Sequence, residues 1–241
     1  MKSYEERKAD LYLNLEQGLK SHSIDGTDLI TAELLREVYE GFYVDIGANH
    51  PKQHSNTYYL YKQGWSGLVV DGNKYFEDLW LENRPLDKFV TAIVAAEIKE
   101  VDFRIFPDDT MSSITPDQIK LYERRFNEEK INSIRTTTTT LSNLKTEYFE
   151  EREVHLLSID IEGEDLNCLL GANFENWKPG VVVIEIKNLS LYNLGSSEIV
   201  QFLTSHGYRL ISKTPLNAIF VYPNKPYLAW IPESLTKATT E

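Results

Sequence analysis

The sequence predicts an α/β fold: a mostly parallel seven-stranded sheet covered by helices, with N-terminal lead-in helices and an antiparallel hairpin at the end. Three observations carry this. Short apolar runs at Phe42–Ile46, Gly67–Val70, Phe89–Ala95, Leu156–Ile161 and Val181–Ile186 alternate with stretches of helix length, as parallel neighbours joined by crossovers require. Val181-Val182-Val183-Ile184 is apolar at consecutive positions, which suits a central strand covered on both sides. The runs Tyr208–Ser212 and Ala218–Tyr222 are joined by Lys213–Asn217, a length that suits an antiparallel hairpin.

Taken in order, Leu11, Leu13, Leu15 and Leu19 give residues 3–20 a helical spacing. Ile30, Leu34, Leu35 and Val38 repeat it between Thr27 and Tyr39, so two lead-in helices are expected. Thr27 or Asp28 is a candidate cap for the second, and Gly41 stands where a helix would stop before the first strand. Between the third and fourth sheet strands, Val101–Phe106 and the β-branched run Thr136–Thr140 read as strands of a small insertion, followed by a helical stretch, Leu141–Phe149. Ser196–His206 is a further helix, and after Pro223 the residues Pro226 and Pro232 and a polar tail suggest a surface arm. The expected division is residues 1–40 as N-terminal helices, 41–223 as the main domain and 224–241 as the arm.

Composition narrows the class. The 241 residues are 41% hydrophobic and 12% aromatic, enough for one domain with a sizeable core. A net charge of −12 without clustered Lys and Arg argues against nucleic acid, whose phosphates need such clusters. Glu123-Arg124-Arg125 lies in the mixed-charge stretch Gln118–Lys130 and reads as a solvated helical face. Cys168, the one cysteine, is flanked by Leu166, Leu169 and Leu170 and reads as a core residue, which excludes an internal disulfide and a cysteine-rich zinc site. No run approaches the ~18 apolar residues of a membrane span, and the first residues carry no apolar leader, so a cytoplasmic protein is expected.

The most informative segment is Asp45-Ile46-Gly47-Ala48-Asn49. It puts an acid and a small-residue turn at the carboxyl edge of the first strand, where open α/β sheets bind ligands. Gly47 and Ala48 allow close approach to the backbone, Asp45 accepts hydrogen bonds, and Asn49 both donates and accepts. The Gly-x-Gly-x-x-Gly spacing of a dinucleotide site is absent, since no second glycine follows until Gly64. Asp71, at the end of Gly67–Val70 and followed by Gly72 and Asn73, falls where an acid would meet two ribose hydroxyls. The pair Asp45 and Asp71 indicates a nucleoside without singling one out.

Five segments in order, Asp45-Ile46-Gly47-Ala48-Asn49-His50-Pro51, Ser55-Asn56-Thr57-Tyr58-Tyr59, Gly64-Trp65-Ser66-Gly67, Ser158-Ile159-Asp160-Ile161-Glu162-Gly163 and Val183-Ile184-Glu185-Ile186, resemble the FkbM family of methyltransferases. The resemblance runs from about Gly41 to Tyr222. It implies a class I, Rossmann-like methyltransferase fold, S-adenosylmethionine as cofactor, and most often O-methylation of a sugar or polyketide-type hydroxyl. Asp71-Gly72 departs from the Glu-Pro common in the family, and the uniform Thr136–Thr140 is unusual for it.

Within that expectation, Asn56, Thr57, Asn73, Ala92, Ile93 and Ser113 join Asp45, Gly47, Ala48, Asn49, Asp71, Gly72 and Asp160 around the cofactor, with Ser112 beside Ser113. Asp160 and Glu162 close the fourth strand, and alternation along an extended segment sends them to one side. Either is a candidate general base, and together they are candidates to grip a divalent cation through oxygen ligands. His54, favoured over His50, is a third candidate base. Glu162, Glu185, Lys187 and Asn188 form the expected contacts of a small-molecule or carbohydrate acceptor. A nitrogen or carboxylate acceptor, a binding module that performs no transfer, and a nicotinamide enzyme are the competing expectations. Assembly as a homo-oligomer is a further one.

Overall fold

Phe42–Ile46 forms β1, and all five residues are buried. The burial follows from position. In a computed structural model, which describes residues 20–127, 130–187 and 189–232, β1 is the middle of the parallel half of the sheet. It pairs in parallel with β2 (Ser66–Asp71) on one side and β6 (Leu156–Ile159) on the other. β3 (Lys88–Thr91) extends the sheet beyond β2, and β7 (Val181–Glu185) lies beyond β6. The hairpin of β8 (Arg209–Lys213) and β9 (Asn217–Val221) closes it, with β9 antiparallel to β7. The order is β3-β2-β1-β6-β7-β9-β8.

Successive strand residues face opposite sides, so each strand feeds two cores. Phe42, Val44 and Ile46 join Leu157, Ile159, Val182, Ile184 and Phe220 on one face. Tyr43 joins Val69, Leu156, Val181, Val183 and Ile219 on the other. The helices are α1 (Thr27–Leu34), α2 (Tyr58–Lys62), α3 (Glu77–Asn83), α4 (Pro116–Glu123), α5 (Leu141–Leu144), α6 (Asp165–Leu170) and α7 (Glu198–Ser205). Cys168 is buried in the first core, as its leucine neighbours imply. No described helix is long and apolar enough to cross a membrane.

Several boundaries differ from the sequence expectation. The helix expected over residues 3–20 lies outside the described residues apart from Lys20. α1 stops at Leu34, although Leu35 and Val38 remain buried. Neither Thr27 nor Asp28 caps it: the N-cap is Gly26 at φ 80°. Thr27 donates instead to Asp25 at 2.6 Å, and Asp28 accepts from Ser21 Oγ at 2.6 Å and from the His22 N–H at 2.7 Å. Gly41 is needed for packing, because a Cβ there would lie 2.2 Å from the Trp65 ring. β3 ends at Thr91 and β6 at Ile159, each short of its apolar run, because the chain turns out of the sheet where the cavity begins.

The insertion is a two-stranded antiparallel sheet of β4 (Glu100–Ile105) and β5 (Asn132–Thr137). The threonine run is not one strand. Thr136 and Thr137 end β5. Thr138 Oγ1 accepts from the Lys99 N–H and donates to the Glu97 carbonyl. Thr139 bridges to Val94. Thr140 caps α5 by accepting from the Asn143 N–H at 3.1 Å. One residue type serves all of these because its branched Cβ suits a strand while its hydroxyl suits a cap. The C-terminal segment also differs from a surface arm: Leu228 and Ile231 are buried in the second core, and the Tyr227 hydroxyl fills the space above Gly180.

Candidate active site

The carboxyl ends of β1, β2, β6 and β7, with the segment after β3, open onto one cavity of about 680 Å³, a size suited to a small-molecule ligand. In its first half, the N–H groups of Gly47 and Ala48 both donate to the Val70 carbonyl, at 2.8 and 3.1 Å. Gly47 has φ 79°, and a Cβ on it would sit 1.8 Å from the Asp160 carbonyl oxygen. Its lack of a side chain therefore serves backbone-to-backbone approach as well as the cavity wall. Asn49, at φ 45°, donates its N–H to Asp71 Oδ2 at 2.9 Å, and its carbonyl accepts from Trp80 Nε1 at 2.7 Å. Asp71 Oδ1 accepts from the Asn73 N–H at 2.7 Å. Both Asp71 oxygens are thus fixed by backbone N–H groups at the cavity wall, as suits an acid of the kind that meets ribose hydroxyls. Gly72, Ala92, Ile93 and Phe103 complete this wall.

Asp45 lies at the base of the cavity and accepts from Thr57 Oγ1 at 2.7 Å. Burial raises its pKa, against the bonds from Thr57 and Ser158 and the charge of Arg84. Asn56 Nδ2 donates to Ser158 Oγ at 3.2 Å, and both residues line the cavity. Beneath them lies Arg84, fully buried and unremarked in the sequence. Its Nε donates to Asp87 at 2.7 Å, Nη1 to the Pro51 carbonyl and Ser55 Oγ, and Nη2 to Tyr43 OH and Thr57 Oγ1. All five guanidinium donors are thereby used, and the four on Nη1 and Nη2 hold the loop of Pro51–Thr57 against β1.

The second half is acidic. Asp160, Glu162 and Glu185 each bring one carboxylate oxygen within 4.8 Å of the others. Alternation along a strand is not what unites Asp160 and Glu162. β6 has already ended, and a turn with φ 48° at Glu162 and 98° at Gly163 does it. Asp165 holds that turn by accepting from the N–H groups of Ile161 and Gly163, both at 3.2 Å. Burial pushes its pKa up to about 7. Lys187 Nζ lies 2.8 Å from Glu185 Oε2 and 3.2 Å from Glu162 Oε2. Tyr122 OH, on α4, donates to Glu162 Oε2 at 2.5 Å.

Burial, with the charges of Glu185, Asp165 and Glu162 behind it, raises the Asp160 pKa well above the usual carboxylate range. Glu185 is also raised by burial, against the pull of Lys187. Burial works to lower the Lys187 pKa, but the bond to Glu185 and the nearby carboxylate charges outweigh it and hold the ammonium charged. Tyr122 is raised by burial and by Glu162, so it stays a donor.

The remaining expected residues divide. Ser113 Oγ donates to the Glu162 carbonyl at 3.0 Å, and Ser112 Oγ is buried on the cavity wall with no hydrogen-bond partner. His54 is exposed at φ 58° and lines the cavity, whereas His50 Nδ1 accepts from the N–H groups of Lys52 and Gln53. Thr57 and Asn73 are buried but are not among the lining residues; Asn73 accepts from the Tyr75 N–H at 3.2 Å. Asn188 lies outside the described residues. Tyr122 escaped the sequence reading because the charges around it mark a solvated face; a lone aromatic in such a helix was the available signal.

The residues fit a nucleoside-bearing cofactor: an anchored acid for the ribose, glycines where the walls must be thin, and an orphaned Ser112 hydroxyl. The methyltransferase FkbM domain matches residues 45–210. Among solved structures, the chain is similar to a TehB-like SAM-dependent methyltransferase from Corynebacterium glutamicum. That match has 15% identity and TM-score 0.39, and covers 90% of this chain and 96% of the other. It is also similar to a precorrin-6y C5,15-methyltransferase from Geobacter metallireducens, with 13% identity and TM-score 0.40, covering 80% and 86%. No curated protein matches the sequence. With the domain match covering more than half of the chain and every strand of the parallel sheet end meeting at one cavity, the chain belongs to the FkbM family of S-adenosylmethionine-dependent methyltransferases and has the class I methyltransferase fold.

Proposed function

We propose that the protein methylates a hydroxyl oxygen of a carbohydrate or natural-product acceptor, in the cytoplasm. The observation that supports this most is the joining, in one cavity, of a nucleoside half around Asp71 with an acidic half of Asp160, Glu162 and Glu185. When bound, S-adenosylmethionine supplies a methyl group activated on sulfonium. An acceptor hydroxyl that took this methyl group would have to give up its proton to a residue of the cavity. Asp160, on the cavity wall beside Glu162 and Glu185, is suited to receive it at a carboxylate oxygen, and burial raises its pKa in the direction that favours a base.

Glu162 and Glu185 suit an acceptor rich in hydroxyls, since each carboxylate oxygen accepts from O–H groups. They would repel a carboxylate acceptor. Asp71, Asn49 and the cavity base at Asp45 and Asn56 suit the cofactor, and much of the acceleration comes from positioning the two reactants.

Two measurements test the proposal. Calorimetry with S-adenosylmethionine should give saturable heat; none would refute the cofactor half. A screen of sugars and nucleotide sugars, read by released S-adenosylhomocysteine, should give turnover that Asp160→Asn abolishes. Undiminished turnover of a folded Asp160→Asn variant would remove Asp160 as the base.

A further inference from the structure

Three carboxylates within 4.8 Å of one another are the oxygen-rich arrangement that a hard divalent cation uses. Here the chain brings its own cation. Lys187 Nζ stands between Glu185 Oε2 at 2.8 Å and Glu162 Oε2 at 3.2 Å, and its side chain, 43% exposed, lines the cavity. Tyr122 OH donates to the same Glu162 oxygen. With Lys187 and Tyr122 both bonded to it, Glu162 Oε2 has no lone pair left for a metal. A cation drawn to Oε2 of both Glu162 and Glu185, at roughly 2.3–2.6 Å for calcium, would compete with the ammonium for the same two oxygens.

We propose that the Lys187 ammonium takes the place of a divalent cation in this cluster, holding Glu162 and Glu185 together and donating its third N–H to the acceptor oxygen that receives the methyl group. An ammonium carries three donors, and the two carboxylates use two. The third stabilises negative charge on the acceptor oxygen while its proton passes to a carboxylate, which is the service a metal ion performs in cation-assisted transfer. Lys187 is thus a catalytic residue in the strict sense of touching a reacting atom. The inference rests on the methyltransferase reading above.

The test uses Mn²⁺ as the probe, followed by electron paramagnetic resonance on the full chain. Wild type is expected to bind no Mn²⁺ tighter than about 10⁻³ M. Lys187→Met, which removes the charge and keeps the length, is expected to bind one ion at least tenfold tighter, and Lys187→Gln should do the same if methionine disturbs folding. On any hydroxyl acceptor that yields S-adenosylhomocysteine, a chelator should leave wild-type turnover unchanged. Lys187→Met should lose about 10²–10³-fold in kcat, the loss typical of removing one charge-stabilising donor, while its affinity for S-adenosylmethionine stays within threefold. Equal Mn²⁺ affinity in wild type and both variants, loss of wild-type turnover on chelation, or Lys187→Met kcat within threefold of wild type would each overturn the proposal. Absence of S-adenosylmethionine binding in wild type would instead strike the methyltransferase reading.

Discussion

Gly47 and Gly26 share a left-handed backbone, at φ 79° and 80°, but differ in what surrounds them. Alanine at Gly26 meets nothing within 4 Å, so Gly26→Ala incurs only the conformational cost, roughly 1–2 kcal/mol. Alanine at Gly47 places its Cβ 1.8 Å from the Asp160 carbonyl oxygen, 1.2 Å inside the 3.0 Å that real Cβ atoms respect. The obstacle is backbone at the end of a central strand, so it cannot rotate away. Overpacking of this kind adds about 1–3 kcal/mol, giving Gly47→Ala a total of about 2–5 kcal/mol. In a chain of this size that corresponds to a fall in Tm of about 4–20 °C, against about 2–8 °C for Gly26→Ala. Denaturant titration of both variants, with calorimetry on S-adenosylmethionine, measures the difference. Because the displaced segment carries Asp160, Gly47→Ala should also weaken the cofactor at least tenfold, while Gly26→Ala leaves it unchanged. Equal stability losses within 0.5 kcal/mol, or unaltered cofactor affinity in Gly47→Ala, would refute the close approach as the reason for glycine.

Tyr122→Phe removes the donor to Glu162 at 2.5 Å, and a bond to a charged group is typically worth about 1.5–3 kcal/mol. Its kcat/KM should fall by about 10–100-fold with cofactor affinity unchanged, which steady-state kinetics and calorimetry would resolve. Arg84→Met leaves Asp87, buried and 2.7 Å from the guanidinium, with its bonds from Tyr43 and Gly67 but without a counter-charge. About 3–5 kcal/mol of stability should go, and a double variant with Asp87→Leu should recover part of it in denaturant titrations. Asp165, 6% exposed with a pKa raised to about 7 from 3.8, sets a pH dependence. Between those two values the folded state binds the proton more readily than the unfolded chain, so stability falls as pH rises through the window, by at most about 4 kcal/mol from this group. Asp165→Asn should flatten the unfolding free energy between pH 5 and pH 7.5; an unaltered slope would show that the carboxyl does not titrate there.

The strand ladder was legible because parallel strands covered on both faces leave continuous apolar runs, and each of β1, β2, β6, β7, β8 and β9 falls within two residues of its run. The end of β3 was not, and β6 stops two residues short of its run, since Val94 and Ile161 stay apolar after leaving the sheet and still pack on the first core. Asp45, Asp71, Asp160, Glu162 and Glu185 could be read as one group because the topology rules send strand ends to one edge. Arg84 and Tyr122 could not. Arg84, just past the end of α3, acts through contacts 27–41 residues away at Tyr43, Pro51, Ser55 and Thr57, and Tyr122 reaches Glu162 only because the insertion docks over the sheet edge. A cation between Asp160 and Glu162 looked open in the sequence, where nothing says that the Lys187 side chain turns back between two acids.

The insertion leaves and rejoins the body of the protein through adjoining residues: the Ala95 N–H donates to the Thr139 carbonyl at 2.9 Å, and Thr138 is bonded to Glu97 and Lys99. None of the pairings that build the main sheet passes through it, yet it supplies Phe103, Ser112 and Tyr122 to the cavity. Such a segment can be transplanted as a unit. Its closure is already provided by the strap at its neck, so a longer or shorter replacement changes the loop entropy only slowly with length. Diversification of what this scaffold modifies can therefore proceed by exchanging residues 96–138 with Phe103 and Ser112 retained for the nucleoside half, and chimaeras joined at Ala95 and Thr139 are the natural unit for redesign.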